Sequence, residues 1–585
     1  MAELKKLWNY VRNYKFYLFT GLLFIIFNVL LSMIPGYLSR RIIDDVINAR
    51  QMELLAGFLA AYIIANLLRA GVIMVHRYYT ESLSQNILRD LKQDLYDHLQ
   101  KMSFNFFNHN RTGELMSRMT GDMEAVRMLF AEGLFHFVRS IFYLVFVMAV
   151  LIPINLKLSL VSLALSPLIG FFAYRLGVRI KPVFRQVRRQ YSDLNSTVQE
   201  NISGIRIVKA FHQQCYEMEK FDEENNDYFT KNYNAAKTWS KYFPIMEFLG
   251  GMSTVLLLFY GGRLVIQGEI TLGVWMQFNS YLWMLIMPMR LIGHIVNMFS
   301  RTSASAERIF SILETEAEIK NQENAVKVEK IDGEVEFKNV SLSYGGEDIL
   351  KNISFHADPG ETVAIMGATG SGKSSLINLI PRYYEPTAGK VLIDGVDNRN
   401  YDLQSLRTQI SVVMQDVFLF SESIANNIAY GQPGLDIEKI KKAASVSSAR
   451  EFIEEMEAGF EEVIGERGMG LSGGQKQRVS LARAIVEESP ILILDDATSA
   501  VDMETEHQIQ QALEGMDQRS TLFLIAHRIS SVRNADQILI LDHGEIIERG
   551  NHEQLIKKKG HYYTMFKEQY KEVIDEEEIE KRWVN

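Results

Sequence analysis

Cysteine is almost missing from this 585-residue chain, with Cys215 as its single thiol. One thiol excludes an internal disulfide framework and a multi-cysteine metal site. A basic excess is missing too: the net charge is -9, so nucleic acid is not expected as a partner. After the basic start MAELKKLWNYVRNYK an apolar run covers residues 16–38 without the small-residue cleavage site of a secretory leader. It is long enough to cross a bilayer, for which ~20 apolar residues suffice. The chain is too long for one core, and two or more domains are expected.

Further apolar stretches lie at residues 55–76, 134–155, 158–178, 243–262 and 271–298, with Pro167 and Pro288 interrupting the fourth and sixth of the resulting six spans. The connections between spans two and three, and between four and five, are long, polar and helical. Residues 77–133 carry seven Lys or Arg and residues 179–242 carry eleven, whereas the alternate connectors hold only Arg40, Arg41, Arg50, Lys157 and Arg263. That asymmetry predicts both long loops and both termini in the cytoplasm. Few charges fall in mid-span, which disfavours a strongly charged small substrate. Span six carries Trp275, Met276, Phe278, Trp283, Met284, Met287 and Met289, side chains of the kind that repack around varied apolar molecules.

Past span six the pattern changes. RTSASAERIFSILETEAEIK reads as a helix leaving the membrane, and a polar linker follows. From about Glu334 short apolar runs alternate with helical stretches: VEFKNV, TVAIMG, KVLIDG, ISVVMQ, ILILDD, TLFLIAH and QILILDHGEII. Such alternation predicts an α/β domain with a largely parallel sheet. The expected division is a membrane domain over 1–318, a linker over 319–333, an α/β domain over 334–570 and a charged, solvated tail over 571–585.

The chemistry is concentrated in the α/β domain. GATGSGKS, residues 367–374, fits G-x-x-x-x-G-K-[ST] between the strand TVAIM and the helix SLINLI. In such a loop backbone N–H groups from Gly367, Ala368, Thr369, Gly370, Ser371 and Gly372 turn toward phosphate and Lys373 reaches the terminal phosphates. The Ser374 hydroxyl takes Mg²⁺, and the helix start at Ser374 and Ser375 adds its dipole. Asp495 ends an apolar strand, where a carboxylate holds Mg²⁺ through water. LSGGQ, made of Leu471, Ser472, Gly473, Gly474 and Gln475, opens the helical stretch KQRVSLARAIV. A serine and two glycines at a helix start form an uncluttered anion site, although an ordinary glycine-containing cap reads the same way.

Taken in order, GATGSGKS, LSGGQ, ILILDDATSAVD and LIAHR resemble the nucleotide-binding domain of an ABC transporter. Spans followed by such a domain, with long cytoplasmic loops, resemble the half-transporters of the multidrug exporter type. The resemblance covers essentially the whole chain; in the membrane half it rests on layout and on FFNHNRTGELMSRMTGDMEAV, residues 106–126. It implies an α-helical six-span transmembrane domain of the ABC exporter type followed by an α/β P-loop ABC ATPase domain, with ATP and Mg²⁺ as cofactors. It also implies a multi-pass protein of a bacterial plasma membrane, its ATPase domain in the cytoplasm, exporting hydrophobic compounds.

Residue by residue, the resemblance implies that Tyr344 stacks on adenine, Gln415 contacts Mg²⁺ and the attacking water, and His527 contacts the γ-phosphate. Asp502 would lie at a dimer interface. The segment GERG at 465–468 would touch the transmembrane loops, and residues 106–126 and 204–221 would be the coupling segments. In the family two ATPase domains face head to tail, so that LSGGQ of one closes on ATP held by the other. A second half-transporter is therefore an expected partner, beside the lipid bilayer and a hydrophobic small molecule.

Asp496 stands where active subunits of the family usually carry glutamate. The reference pKa values of the two acids differ by only ~0.4 unit, so reach decides between them. A misplacement of ~1 Å can cost ~10²-fold in rate. This chain's own P-loop site is thus expected to bind ATP and hydrolyse it slowly, while its intact LSGGQ completes the site of a different partner chain. A homodimeric exporter, a lipid flippase of the same architecture and an ATP-gated channel are the alternatives.

Overall fold

The computed structural model describes residues 2–344, 346–515 and 520–570; the charged tail lies outside them. The chain divides into two compact units, residues 1–101 with 110–316, and residues 102–109 with the chain from 317 onward.

The first unit is helical. Among the described residues six helical stretches are long and apolar enough to cross a membrane: Lys15–Asn48, Met52–Leu99, Thr112–Ile154, Leu156–Ser203, Gln214–Ile266 and Leu272–Leu313. A helix rises ~1.5 Å per residue and the hydrocarbon layer is ~30 Å thick. The 45 residues of Leu55–Leu99 and the 53 of Gln214–Ile266 are therefore about twice what a crossing needs. Much of the two polar loops is thus a continuation of the same helices.

The two prolines behave differently. Pro167 sits in the first turn of the helix Ser166–Ser203, just after a break that ends the helix Leu156–Leu163. The first turn is where a missing N–H costs nothing. Pro288 is buried inside Leu272–Leu313, which runs through it without a break, so span six is not interrupted as expected. Span six is held to span one by Tyr281, whose buried hydroxyl donates to the Met33 carbonyl at 2.7 Å. Gly36 makes room for that ring, since a Cβ there would come within 2.5 Å of it.

Among its described residues the second unit carries ten strands: β1 Val335–Tyr344, β2 Glu347–Ala357, β3 Thr362–Gly367, β4 Ala388–Ile393, β5 Val396–Asp397, β6 Ile410–Val413, β7 Ile491–Asp495, β8 Thr521–Ile525, β9 Gln537–Asp542 and β10 Glu545–Gly550. They form two sheets, ordered β2-β1-β4-β5 and β10-β9-β3-β8-β7-β6. The second sheet is parallel from β9 to β6, with β10 antiparallel at its edge. VEFKNV and KVLIDG leave the expected single sheet and pair antiparallel to each other. β1 alternates in burial at its start, unlike the unbroken burial of β7, as expected for a strand with one covered face against a strand covered on both.

Residues 102–109 join this unit through side-chain contacts. The helix Phe104–His109 sets the Phe104 ring edge-on against Tyr383, with centroids 4.6 Å apart. Asn108 donates to the Tyr384 hydroxyl at 2.9 Å, and Ser103 and Asn105 donate to Glu318 at 3.1 and 3.0 Å. Of the expected coupling segment 106–126, residues 106–109 belong to this unit.

Candidate active site

The parallel order β3-β8-β7 brings the carboxyl ends of three strands to one edge of the sheet, where α/β folds bind ligands. Each end carries a residue picked out by the motifs. β3 runs into the glycine-rich loop, which turns into the helix Lys373–Ile377. Gly367 must be glycine, because a Cβ there would lie 2.1 Å from the Leu541 carbonyl oxygen. Gly370 and Gly372 have φ of 82° and 102°, which opens the turn. Ala368, Thr369 and Gly370 lie exposed between them.

Lys373 is buried, and its Nζ donates to the carbonyls of Gly367 and Ala368, each at 2.9 Å. Burial lowers its pKa while the nearby carboxylates of Asp495 and Asp496 pull it back up. The buried hydroxyl of Ser371 has no hydrogen-bond partner among the described residues. An orphaned hydroxyl and a buried ammonium held by backbone carbonyls fit a phosphate group, whose oxygens would replace those carbonyls.

Asp495, at the end of β7, is 8% exposed. Burial raises its pKa, opposed by a hydrogen bond with Ser374; Asp496 raises it further, and Lys373 and His527 lower it. Ser374 and Asp495 are thus a hydroxyl and a carboxylate in contact, a donor set that suits a hard cation such as Mg²⁺.

The raised pKa has a stability consequence. The folded protein holds this proton at a pH where the unfolded chain has released it, so the ionised carboxylate destabilises the fold. That penalty is absent below the unfolded value near 3.9 and complete above the raised folded value. Asp495→Asn is therefore expected to raise the thermal unfolding midpoint of the nucleotide-free protein at neutral pH. The same variant should lose the Mg²⁺-dependent part of ATP binding, and melting curves with and without MgATP check both.

Asp496 follows at φ 52°, a left-handed conformation that short polar side chains tolerate. Its N–H donates to the Ile525 carbonyl at 3.2 Å, at the end of β8. Its own carbonyl accepts from Ser499 Oγ at 3.1 Å and from Gln477 Nε2 at 3.4 Å. The side chain is half-buried.

The other expected residues are placed less uniformly. Tyr344 ends β1, hydrogen-bonds Ser375 and meets Tyr384 edge-on at 5.2 Å. Burial, with Tyr384 beside it, pushes its hydroxyl up to about 12. His527 is exposed after β8, close enough to Asp495 to act on its charge. Gln415 does not end a strand: β6 stops at Val413, and the Gln415 side chain is exposed without a hydrogen bond among the described residues. Asp502 is a helix cap, accepting from Thr505 N and Thr505 Oγ1, both at 2.9 Å.

The signature segment opens the helix Gly473–Ile485 with a reciprocal cap. Gln475 N donates to Ser472 Oγ at 3.3 Å, and Ser472 N donates to Gln475 Oε1 at 2.8 Å. Leu471 is buried beneath it. In the GERG segment Arg467 and Gly468 have φ of 54° and 74°. On span six Phe278 is fully buried and Trp275 Nε1 donates to the Leu257 carbonyl at 3.1 Å, so both serve packing; Trp283 and Met287 stand exposed.

Two contacts at the site escape motif reading. Gln569 Nε2 donates to the His527 carbonyl at 2.7 Å, and Ile529 N donates to Gln569 Oε1 at 2.8 Å. Gln477 reaches the chain after β7 from the signature helix. Its one sequence signal is position: it falls in line with Leu481 and Ala484 on the buried face of that helix.

Comparison with known proteins agrees with this geometry. Residues 18–289 match the ABC transporter transmembrane region, and residues 350–499 match the ABC transporter domain. The chain is 37% identical over 544 residues to an ATP-dependent lipid A-core flippase of Syntrophus aciditrophicus, covering 93% of this chain and 90% of that one. It is 33% identical over 574 residues to the Bacillus subtilis protein YgaD, named as a multidrug export ATP-binding/permease protein, covering 97% and 99%. A bacterial Atm1-family ABC exporter solved with ATP bound superposes with a TM-score of 0.80 at 25% identity, over 94% of this chain and 99% of that one. With six membrane-length helices on the same chain as the phosphate loop and the signature, the protein belongs to the ABC transporters of the exporter type, integral membrane proteins that hydrolyse ATP to drive transport.

Proposed function

We propose that the protein exports hydrophobic or amphipathic compounds as one half of a dimer whose own ATP site hydrolyses slowly. The observation that carries this is Asp496. Its backbone is fixed at the end of β7, directly after Asp495, and its side chain is one methylene shorter than the glutamate common in the family. A general base must come within ~3 Å of the proton it takes, so a fixed backbone makes side-chain length decisive.

Gly367 to Ser375 bind the phosphates, Ser374 and Asp495 hold Mg²⁺ with Gln415 swinging in, and Tyr344 supports the adenine. His527 binds the γ-phosphate and Asp496 orients the water. Bound Mg²⁺ would supply charge neutralisation on the phosphates.

A partner chain is favoured by two features. Ser472 to Gln475 open their helix at an exposed surface, as a signature offered to another chain's ATP requires. In the second long loop Ile207, Phe211, Tyr216 and Met218 are each more than half exposed, at 66%, 71%, 61% and 59%. An apolar cluster of that kind marks an interaction site, and a partner's ATPase domain fits it.

The cargo is argued from the spans and the relatives. Trp283 and Met287, four residues apart on span six, expose apolar, adaptable side chains. Lipid flipping is the second reading, favoured by the 37% identity to a lipid A-core flippase. The deciding experiment reconstitutes the protein in vesicles, alone and with a competent half-transporter, and follows ATP-dependent movement of a hydrophobic dye and of a fluorescent phospholipid. Dye movement supports export of hydrophobic compounds, phospholipid movement alone supports the flippase, and ion conductance without either would overturn both.

A further inference from the structure

Gln477 is a buried amide that joins the signature helix to the chain following β7. It is 7% exposed and uses both ends of its side chain. Nε2 donates to Ser499 Oγ at 3.0 Å and to the Asp496 carbonyl at 3.4 Å, while Oε1 accepts from Ala500 N at 2.9 Å. Ser499 closes the ring by donating to the same Asp496 carbonyl at 3.1 Å.

The contact extends along the helix start. A Cβ on Gly474 would lie 2.8 Å from the Ala500 carbonyl oxygen, and one on Gly473 would lie 3.6 Å from the Ala500 side chain. Gly474 therefore has a reason to be glycine inside its own chain, whatever ligand the signature meets. From the other side, Arg528 Nη1 donates to the Val501 carbonyl at 3.3 Å and to Glu506 at 3.0 Å. Residues 496–501 are thus held between the signature helix and the chain after β8, and the amide of Gln477 supplies most of the bonds on the signature side.

We infer that Gln477 is a positioning residue that locks the backbone of Asp496–Ala500 to the signature helix. The acid of this chain's own ATP site and the signature offered to a partner's site then move as one body. A shift of the signature on closing against a partner's nucleotide displaces the Asp496 carbonyl with it, and displacement at either end is felt at the other. This rests on the proposed roles of Asp496 and the signature. An amide is suited to the task because it donates and accepts at once without carrying charge next to Asp496.

The test uses the full-length protein in lipid discs, in the native and Asp496→Glu backgrounds. Gln477→Leu keeps the volume and removes all three bonds. It is expected to lower kcat for ATP hydrolysis about tenfold while KM for ATP stays within about twofold, because the phosphate loop is untouched. The factor should be the same in both backgrounds, since the clamp acts on the backbone of residue 496. Gln477→Glu retains the bond to Ala500 N and loses the donor, so it should show the same kcat-selective loss and carries the test if the leucine variant fails to fold.

A kcat within about twofold of the parent in either variant overturns the clamp, as does an equal loss in kcat and nucleotide affinity, which marks a merely structural role. If Asp496→Glu alone leaves the rate unchanged while Gln477→Leu still lowers kcat selectively, the slow-site reading fails and the clamp stands.

Discussion

Replacing Asp496 by glutamate is expected to raise the rate of ATP hydrolysis by up to ~10²-fold, equivalent to nearly 3 kcal/mol of barrier. The backbone of residue 496 is pinned by the Ile525 carbonyl on one side and by Ser499 and Gln477 on the other, so the main chain cannot advance to make up for a short side chain. The side chain is half-buried, at the edge of the sheet rather than within it. At φ 52° a longer side chain carries a conformational cost of about 1 kcal/mol relative to the right-handed region. That cost falls on the stability of the fold and not on the barrier. KM for ATP should be nearly unchanged, because the substitution does not touch the glycine-rich loop. Phosphate release by the purified chain, native against variant, gives the answer. A native rate already equal to that of the variant would show that aspartate suffices and would remove the ground for an unequal partner.

The site was legible in the sequence wherever its residues are neighbours along the chain. A phosphate loop is a contiguous turn between a strand and a helix, and β7 announces itself as five buried residues ending in an acid. Six apolar stretches likewise pointed to six helices of membrane length. What failed were features fixed by contacts distant in sequence. Gln477 lies 19 residues from the carbonyl it holds, and Gln569 lies 42 from the His527 carbonyl, so neither could be seen from spacing. β2 was missed because Asn352, at φ 50°, interrupts its alternation, and its register with β1 shifts near that point. The docking of Phe104 depends on Tyr383, which no periodicity near residue 104 reveals. Span six shows the opposite error: its aromatic and methionine residues looked equivalent, yet packing takes Phe278 into the core, partly buries Trp275 against it and leaves Trp283 and Met287 out.

Lys373→Ala is expected to weaken ATP binding by ~10²-fold while leaving the nucleotide-free protein folded. A hydrogen bond to a charged group contributes ~1.5–3 kcal/mol, and the Lys373 ammonium is placed to give such bonds to phosphate. With no nucleotide it donates to the Gly367 and Ala368 carbonyls, and burial already lowers its pKa, so the charge is kept at a cost that only a bound anion offsets. Removing it frees two carbonyls at the loop and deletes a buried cation, effects of opposite sign on stability. The loss should therefore appear in affinity, the reverse of the pattern expected for Asp496→Glu, which changes rate and spares affinity. Lys373→Arg should not restore binding, because a planar guanidinium cannot occupy the space of a compact ammonium under the loop. Equilibrium titration with a fluorescent ATP analogue, with unfolding midpoints recorded in parallel, separates the two outcomes. Unchanged affinity in the alanine variant would mean that the loop backbone alone holds the phosphates.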